Sequence, residues 1–255
     1  MDQQSLMERI GLPPEGQALV TAWPLSDPAY ACWKSLFYDD EPGFFQKISR
    51  QKKPAELLLV LYIRFAVDLH PDFQARQISD QIYFNTFRDF TVWYRSYFRK
   101  TGRPGLTEEK WLALPLKLKI FRLGRLQFEP DGAAIHVHIP EDGKLTPDAC
   151  SDAFRQADAF FDQSYTQYDC ESWLLSPALK ELLPPESNIL QFQRRFEIQQ
   201  TIYPFQQAEE RIFGKVLKNP ELYPERTALQ RSAKAYVLKK GDPGIGYGVI
   251  NRSIQ

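Results

Sequence analysis

Apolar residues in the first half of the chain recur at helical spacing. Gln3 to Ile10 reads as a short helix stopped by Gly11 and by Pro13-Pro14, and Phe44 to Ser49 as another. Ala55 to Leu69, which follows Pro54, is apolar almost all the way round (Leu57, Leu58, Leu59, Val60, Leu61, Ile63, Phe65, Ala66, Val67). That pattern predicts a helix buried on most sides and ended by Pro71. Between Ser79 and Arg99, Ile82, Phe87, Phe90, Trp93, Tyr94 and Phe98 mark a helix with a wide aromatic face. Thr101 to Gly105 is a break, and Thr107, ahead of two acidic residues, is placed to cap a further helix.

Near Leu116 the period changes. Phe121 to Glu129 alternates with a period of two, Pro130 to Ala133 is a turn, and Ala134 to Ile139 alternates again. This is a hairpin signal with Asp131-Gly132 at the tip. On that register Glu129 faces Ala134, Gln127 faces His136 and Arg125 faces His138. Arg125, Gln127, Glu129, His136 and His138 then share one face, and Leu126, Phe128, Ile135, Val137 and Ile139 share the other. The pattern continues as a helix over Pro147–Gln163, a strand over Asp169–Leu175, a helical turn over Ala178–Leu183 and a helix over Asn188–Arg195. Strands over Phe196–Tyr203 and Glu210–Phe213 and a helix over Thr227–Lys239 follow, and Gly244 to Gly248 reads as a tight turn or hairpin. The expected fold class is α+β, with a helical domain over residues 1–115 and a strand-rich domain over 116–255.

Composition narrows the partners. The chain has 255 residues, with Lys+Arg and Asp+Glu both at 32, so the formal net charge is zero. A duplex nucleic-acid binder carries a basic excess, and here only a local cluster (Arg95, Arg99, Lys100, Arg103) is basic. The three cysteines cannot all pair within one chain, which points to a reducing compartment. Met1 to Glu8 lacks the pattern of a signal peptide, and the longest apolar run, Leu57 to Ile63, is too short to span a bilayer. A cytoplasmic protein with no membrane or nucleic-acid partner is expected, of undefined oligomeric state. Aromatic residues reach 14%, which fits a core of large planar side chains or a chain with an apolar ligand cleft.

Chemistry is suggested at three places. The polar hairpin face puts Glu129 near two imidazoles, which can supply a general base near neutral pH; a wet sheet face is the plain alternative. No further His or Cys at ligand spacing supports a metal site. Thr146 is placed as N-cap and Pro147 as first residue of a helix directly after a strand, with Lys144 adding charge: either an anion site or an ordinary connection. Ser187-Asn188 caps a segment with Ile189, Phe192, Gln193 and Phe196 on one side. Cys170 and Ser172 share a face of the strand before it, and Cys170 reads as an inert core thiol.

These stretches also carry a resemblance. Arg122-Leu-Gly-Arg-Leu-Gln-Phe-Glu129, His138-Ile-Pro140, Leu145-Thr-Pro-Asp-Ala-Cys150, Cys170-Glu-Ser-Trp-Leu-Leu-Ser-Pro177, Ser187 to Phe196 and Arg226 to Ser232 occur in that order. Together they resemble a bacterial acyltransferase family with a helical N-acyltransferase N-terminal domain and a GNAT-like C-terminal domain. The resemblance implies a mixed sheet whose two central parallel strands splay around acetyl-CoA or another acyl-CoA, and a small-molecule or peptide amine acceptor. Ala134–Ile139 would pair with the pantetheine arm, placing Val137 and Ile139 beside it. Pro140–Asp148 would be the pyrophosphate loop, with Gly143, Lys144 and Thr146 at the phosphates. Glu129 and His138 are the base candidates, with Ser172 and Asn188 as polar partners. The chain departs from the wider pattern in having only Gly143 in the loop and Phe192 where a tyrosine is common. The rival readings are a non-catalytic module of the same fold that binds an acyl group, peptide or carrier protein, and a structural or regulatory protein without ligand.

Overall fold

The computed structural model describes residues 1–252, which divide into two compact units. The first, Met1–Leu123 with Pro140–Asp142, holds seven helices: α1 (Gln3–Arg9), α2 (Pro14–Ala22), α3 (Asp27–Asp39), α4 (Glu41–Ser49), α5 (Pro54–Ala75), α6 (Asp80–Thr101) and α7 (Glu109–Leu116). Its last element is a short strand, β1 (Phe121–Leu123). The second unit holds β2 (Leu126–Asp131), β3 (Ala134–His138), α8 (Pro147–Phe160), β4 (Gln167–Ser172), α9 (Leu179–Leu182), α10 (Asn188–Gln193), β5 (Glu197–Ile202), α11 (Gln207–Phe213), α12 (Ala228–Lys240) and β6 (Ile245–Asn251). No helix among the described residues is long and apolar enough to cross a membrane.

In the first unit, α5 is buried on most sides, as its composition requires. Rings of Phe37, Phe44, Tyr62, Phe65 and Phe90 pack along it. Buried hydroxyls find backbone acceptors: Tyr62 donates to the Glu109 carbonyl at 2.6 Å and Tyr83 to that of Ala66 at 2.7 Å. Pro71 does not end this helix but lies inside it. An interior proline costs about 3 kcal/mol. The turn beyond it carries Phe73, fully buried against Tyr83, Phe87 and Phe121. That burial is worth about 1.5–3 kcal/mol and each ring pair about 0.5–1.5 kcal/mol, which offsets the loss. At α7 the N-cap is Glu108, not Thr107, and makes no side-chain cap bond.

The second unit is a mixed sheet in the order β2-β3-β4-β6-β5. The stretch expected as one strand from Phe121 is broken at Gly124, whose φ is 60°, so Arg125 sits in a turn and does not face His138. The hairpin loop is Gly132-Ala133, one residue later than expected, because Asp131 still pairs with Ala134. Gly132, at φ 55°, takes the first loop position, where a II′ turn needs a positive φ. Glu129 therefore opposes His136 and Gln127 opposes His138. The register moves by two residues, so side chains keep their faces.

The strand expected to run to Leu175 stops at Ser172, whose Oγ accepts from the Leu174 amide at 3.2 Å and starts a 3-10 turn over Trp173–Leu175. Glu210–Phe213 is part of helix α11, with Ala208 and Phe213 buried and Glu209 and Glu210 at its positive end. The glycine-rich stretch expected as a turn forms β6, paired with β4 and β5. Its glycines serve close approach: a Cβ on Gly246 would lie 2.2 Å from the Leu175 carbonyl oxygen, and one on Gly248 2.9 Å from Phe196 Cβ. On one sheet face, α8 packs through Cys150, Ala153 and Ala157, and Phe154 meets Phe128, Tyr168 and Phe196.

Gly246→Ala should lower unfolding free energy by about 3 kcal/mol, the upper end for overpacking, because a backbone carbonyl cannot step aside. Gly132→Ala should cost only about 1 kcal/mol of backbone strain, since no atom lies within 4 Å of its Cβ. Urea denaturation of both variants checks the ranking; equal losses would contradict it.

Candidate active site

Strand β3 pairs antiparallel with β2 on one side and parallel with β4 on the other. The parallel pairing covers Ala134↔Gln167, Ile135↔Tyr168 and His136↔Asp169 and ends there, while β3 continues to His138 and β4 to Ser172. The two central parallel strands thus separate just beyond His136. Directly opposed residues share a face, so Glu129, His136 and Asp169 line up across three strands.

That face holds two carboxylate–imidazole pairs. Glu129 Oε2 lies 2.9 Å from His138 Nε2, with both side chains partly exposed. His136 Nδ1 bonds Asp169 Oδ1, and its Nε2 lies 3.8 Å from Asp131. Asp169 is only 5% exposed, and Tyr247 Oη on β6 donates to its Oδ2 at 3.3 Å. Partial burial opposes charge on His136, but the Asp169 hydrogen bond and the charges of Asp169, Glu129 and Asp131 outweigh it and raise its pKa. Burial, then the Asp169 charge and hydrogen bond, raises that of Tyr247.

The expected site residues fall on both faces. Glu129 and His138 meet. Ser172 is on the opposite face, buried, with its hydroxyl capping the 3-10 turn. Asn188 is the first residue of α10, which packs against α8 and that turn. Val137 is buried opposite Phe128, and Ile139 follows the end of β3. Gly143 (φ 74°) and Lys144 are exposed in the loop, and their carbonyls accept from Arg125 at 3.1 Å. Thr146 caps α8 through the Ala149 amide at 3.4 Å. Upstream in the same loop, Asp142 receives a two-pronged bond from Arg122 at 3.0 and 2.9 Å. Cys170 is a core residue whose thiol pKa is pushed up by burial. Phe192 is buried against Phe196. A groove of about 860 Å³ runs along α8 past Arg155, Tyr168, Arg195 and Arg252, and no member of the two pairs lines it.

Asp169 and Tyr247 were not among the expected residues. An aspartate flanked by Tyr168 and Cys170 on a central strand was the available signal for the first. Tyr247 was hidden by its glycine neighbours, which read as a turn.

Residues 120–250 match the GNAT-like C-terminal domain, and residues 1–118 match the N-acyltransferase N-terminal domain. The chain belongs to this two-domain acyltransferase family. Solved structures of similar fold include an acyltransferase in complex with decanoyl-CoA and teicoplanin, 21% identical, with a TM-score of 0.77 over 97% of this chain and 87% of that one. An acyltransferase mutant in complex with octanoyl-CoA is 20% identical, with a TM-score of 0.79 over 98% of this chain and 87% of that one. Among curated proteins, no sequence matches. As a member of this GNAT-like family, the chain carries its polar cluster at the separation of β3 and β4.

The raised His136 value has a consequence for stability. A group whose folded-state pKa is raised stabilises the fold fully below its unfolded value and loses that contribution as pH rises through the folded one. Denaturation followed as pH rises above the ordinary histidine range should show this loss. His136→Gln should flatten that part of the curve; an unchanged slope would exclude the pair as its source.

Proposed function

We propose that this GNAT-like protein transfers an acyl group from a CoA thioester to an amine acceptor, with Glu129 and His138 as the base. The observation that carries the reading is the Glu129–His138 bond at 2.9 Å, on the strand that runs past the end of the parallel pairing. In this reading His138 gives its Nε2 proton to the bond with Glu129 and takes the acceptor's proton at Nδ1. The amine nitrogen attacks the thioester carbonyl carbon, a C–N bond forms, the C–S bond breaks, and the proton returns to the CoA thiolate. Positioning supplies most of the acceleration, and the base adds about 10²–10⁴-fold.

The thioester arm would lie along Val137 and Ile139, where β3 has left β4. The phosphates would meet the loop at Gly143, Lys144 and Thr146. Arg125 supports this placement. It holds the carbonyls of residues 143 and 144, and in a trans peptide the next amide then points the opposite way. Backbone N–H groups so directed, beside the positive end of α8, suit an anion. Teicoplanin, present with the first of the similar structures, favours a small-molecule or peptide acceptor. The family and the composition favour a cytoplasmic enzyme.

Acyl-CoAs from acetyl to decanoyl should raise the melting temperature, and Glu129→Gln and His138→Ala should each lower kcat by about 10²-fold or more with a smaller change in KM for acyl-CoA. A flat thermal-shift titration with every CoA ester would overturn the reading. Wild-type rates in both variants would remove the pair as base.

A further inference from the structure

We propose that Glu171 is a specificity-determining residue of the transfer site, whose carboxylate receives the acceptor amine as a cation on the wall opposite the Glu129–His138 pair. The inference rests on the reading of that pair as the base. It adds the acceptor class: a primary amine that is protonated in water and carries a polar body. Three observations carry it.

The first is register. The parallel pairing of β3 with β4 ends at His136↔Asp169. His138 and Glu171 each lie two residues further along, one on each strand, so both sit ~7 Å past the last paired rung. Alternation keeps them on the face of His136 and Asp169. They stand level on the two walls of the opening, with the base on β3 and Glu171 on β4.

The second is availability. Glu129 meets His138, and Asp169 is held by His136 and Tyr247. Glu171 is exposed and makes no hydrogen bond or ion pair among the described residues. It adds nothing to the core, since Cys170 and Ser172 are the buried residues on either side of it and face the other way. Strands β2 to β6 contain no lysine or arginine. A cation that enters here meets a carboxylate with no rival partner on the sheet.

The third is the row that Glu171 begins. It opposes Tyr247, and Tyr247 opposes Gln200. The sheet is irregular between Ile198 and Gln200, which brings Gln200 and not Gln199 into register with Tyr247. Gln200 is exposed, and its carboxamide makes no hydrogen bond among the described residues. A carboxylate, a phenol oxygen and a carboxamide thus run in line across β4, β6 and β5. The charge lies next to the opening, and the neutral donors and acceptors lie away from it. That order fits an ammonium at Glu171 and hydroxyls or amides of the acceptor body at Tyr247 and Gln200. An amino sugar or a peptide amine has this layout; an alcohol or an aryl amine lacks the cation. The ammonium loses one proton to water before the nitrogen attacks. The second passes by way of His138 to the CoA thiolate as the C–N bond forms and the C–S bond breaks.

Glu171→Lys tests the placement without a natural acceptor. It puts an amine on the wall, and decanoyl-CoA should acylate that side chain itself. Peptide mass spectrometry should find one decanoyl group at position 171, and adding His138→Ala should abolish it. No decanoyl group there, in a variant that decanoyl-CoA still stabilises against heat, would overturn the inference and leave the proposed function standing. No stabilisation of the wild-type protein would count against the proposed function, and this inference would fall with it. Glu171→Gln tests the chemistry, with glucosamine as the cationic probe and aniline as the uncharged one. KM for glucosamine should rise about fivefold or more while KM for decanoyl-CoA holds. A merely structural role predicts an equal rise in both, and that result, or a wild-type preference for aniline, would overturn the inference. If neither probe is accepted, the mark at position 171 decides.

Discussion

Strand β3 has one antiparallel and one parallel neighbour, and the polar face depends on that. An antiparallel partner can follow through a two-residue loop. A parallel partner must return through a crossover, which here is α8. The crossover brings β4 back beside the start of β3 and not its end, so the pairing is short. Where it stops, the two histidines of β3 have carboxylates on both sides: Glu129 and Asp131 from β2, Asp169 from β4. No loop has to be held in a special shape to bring these groups together. They are carried by three strands whose register is set by their apolar opposite faces.

The other face explains why the sheet can be that exact. Cys150, Ala153 and Ala157 keep α8 close, and the rings of Phe128, Phe154 and Tyr168 fill the space between them. Gly246 and Gly248 let β6 lie under the Leu175 carbonyl and against Phe196. Ser172 belongs to this side, where its hydroxyl turns the chain out of β4.

Much of this was legible in the residues, and the failures have common causes. Period and apolar content placed α5, α6 and the hairpin faces, because burial of a whole face leaves little choice. Alternation could not fix the hairpin loop: Asp131-Gly132 and Gly132-Ala133 give the same faces, so a register error of two is invisible to it. Pro71 and the glycines of β6 misled for a shared reason. Local propensity marks both as breaks, and tertiary packing around Phe73 and Leu175 overrides it. Glu129 and His138 could be paired in advance because a hairpin is local. Asp169 and Tyr247 could not, since their neighbours come from strands far along the chain.

The helices between β4 and β6 have a small core of their own, in which Leu179, Leu182, Leu190, Phe213, Tyr223, Ala233 and Val237 are buried together. Buried Glu209 accepts the Tyr223 hydroxyl inside it. A segment with a separate core opens on its own free-energy scale. Helices α9 to α12 are therefore expected to exchange their amides faster than β3 and β4. The polar cluster is carried by β2, β3, β4 and β6, none of which contributes a residue to that smaller core.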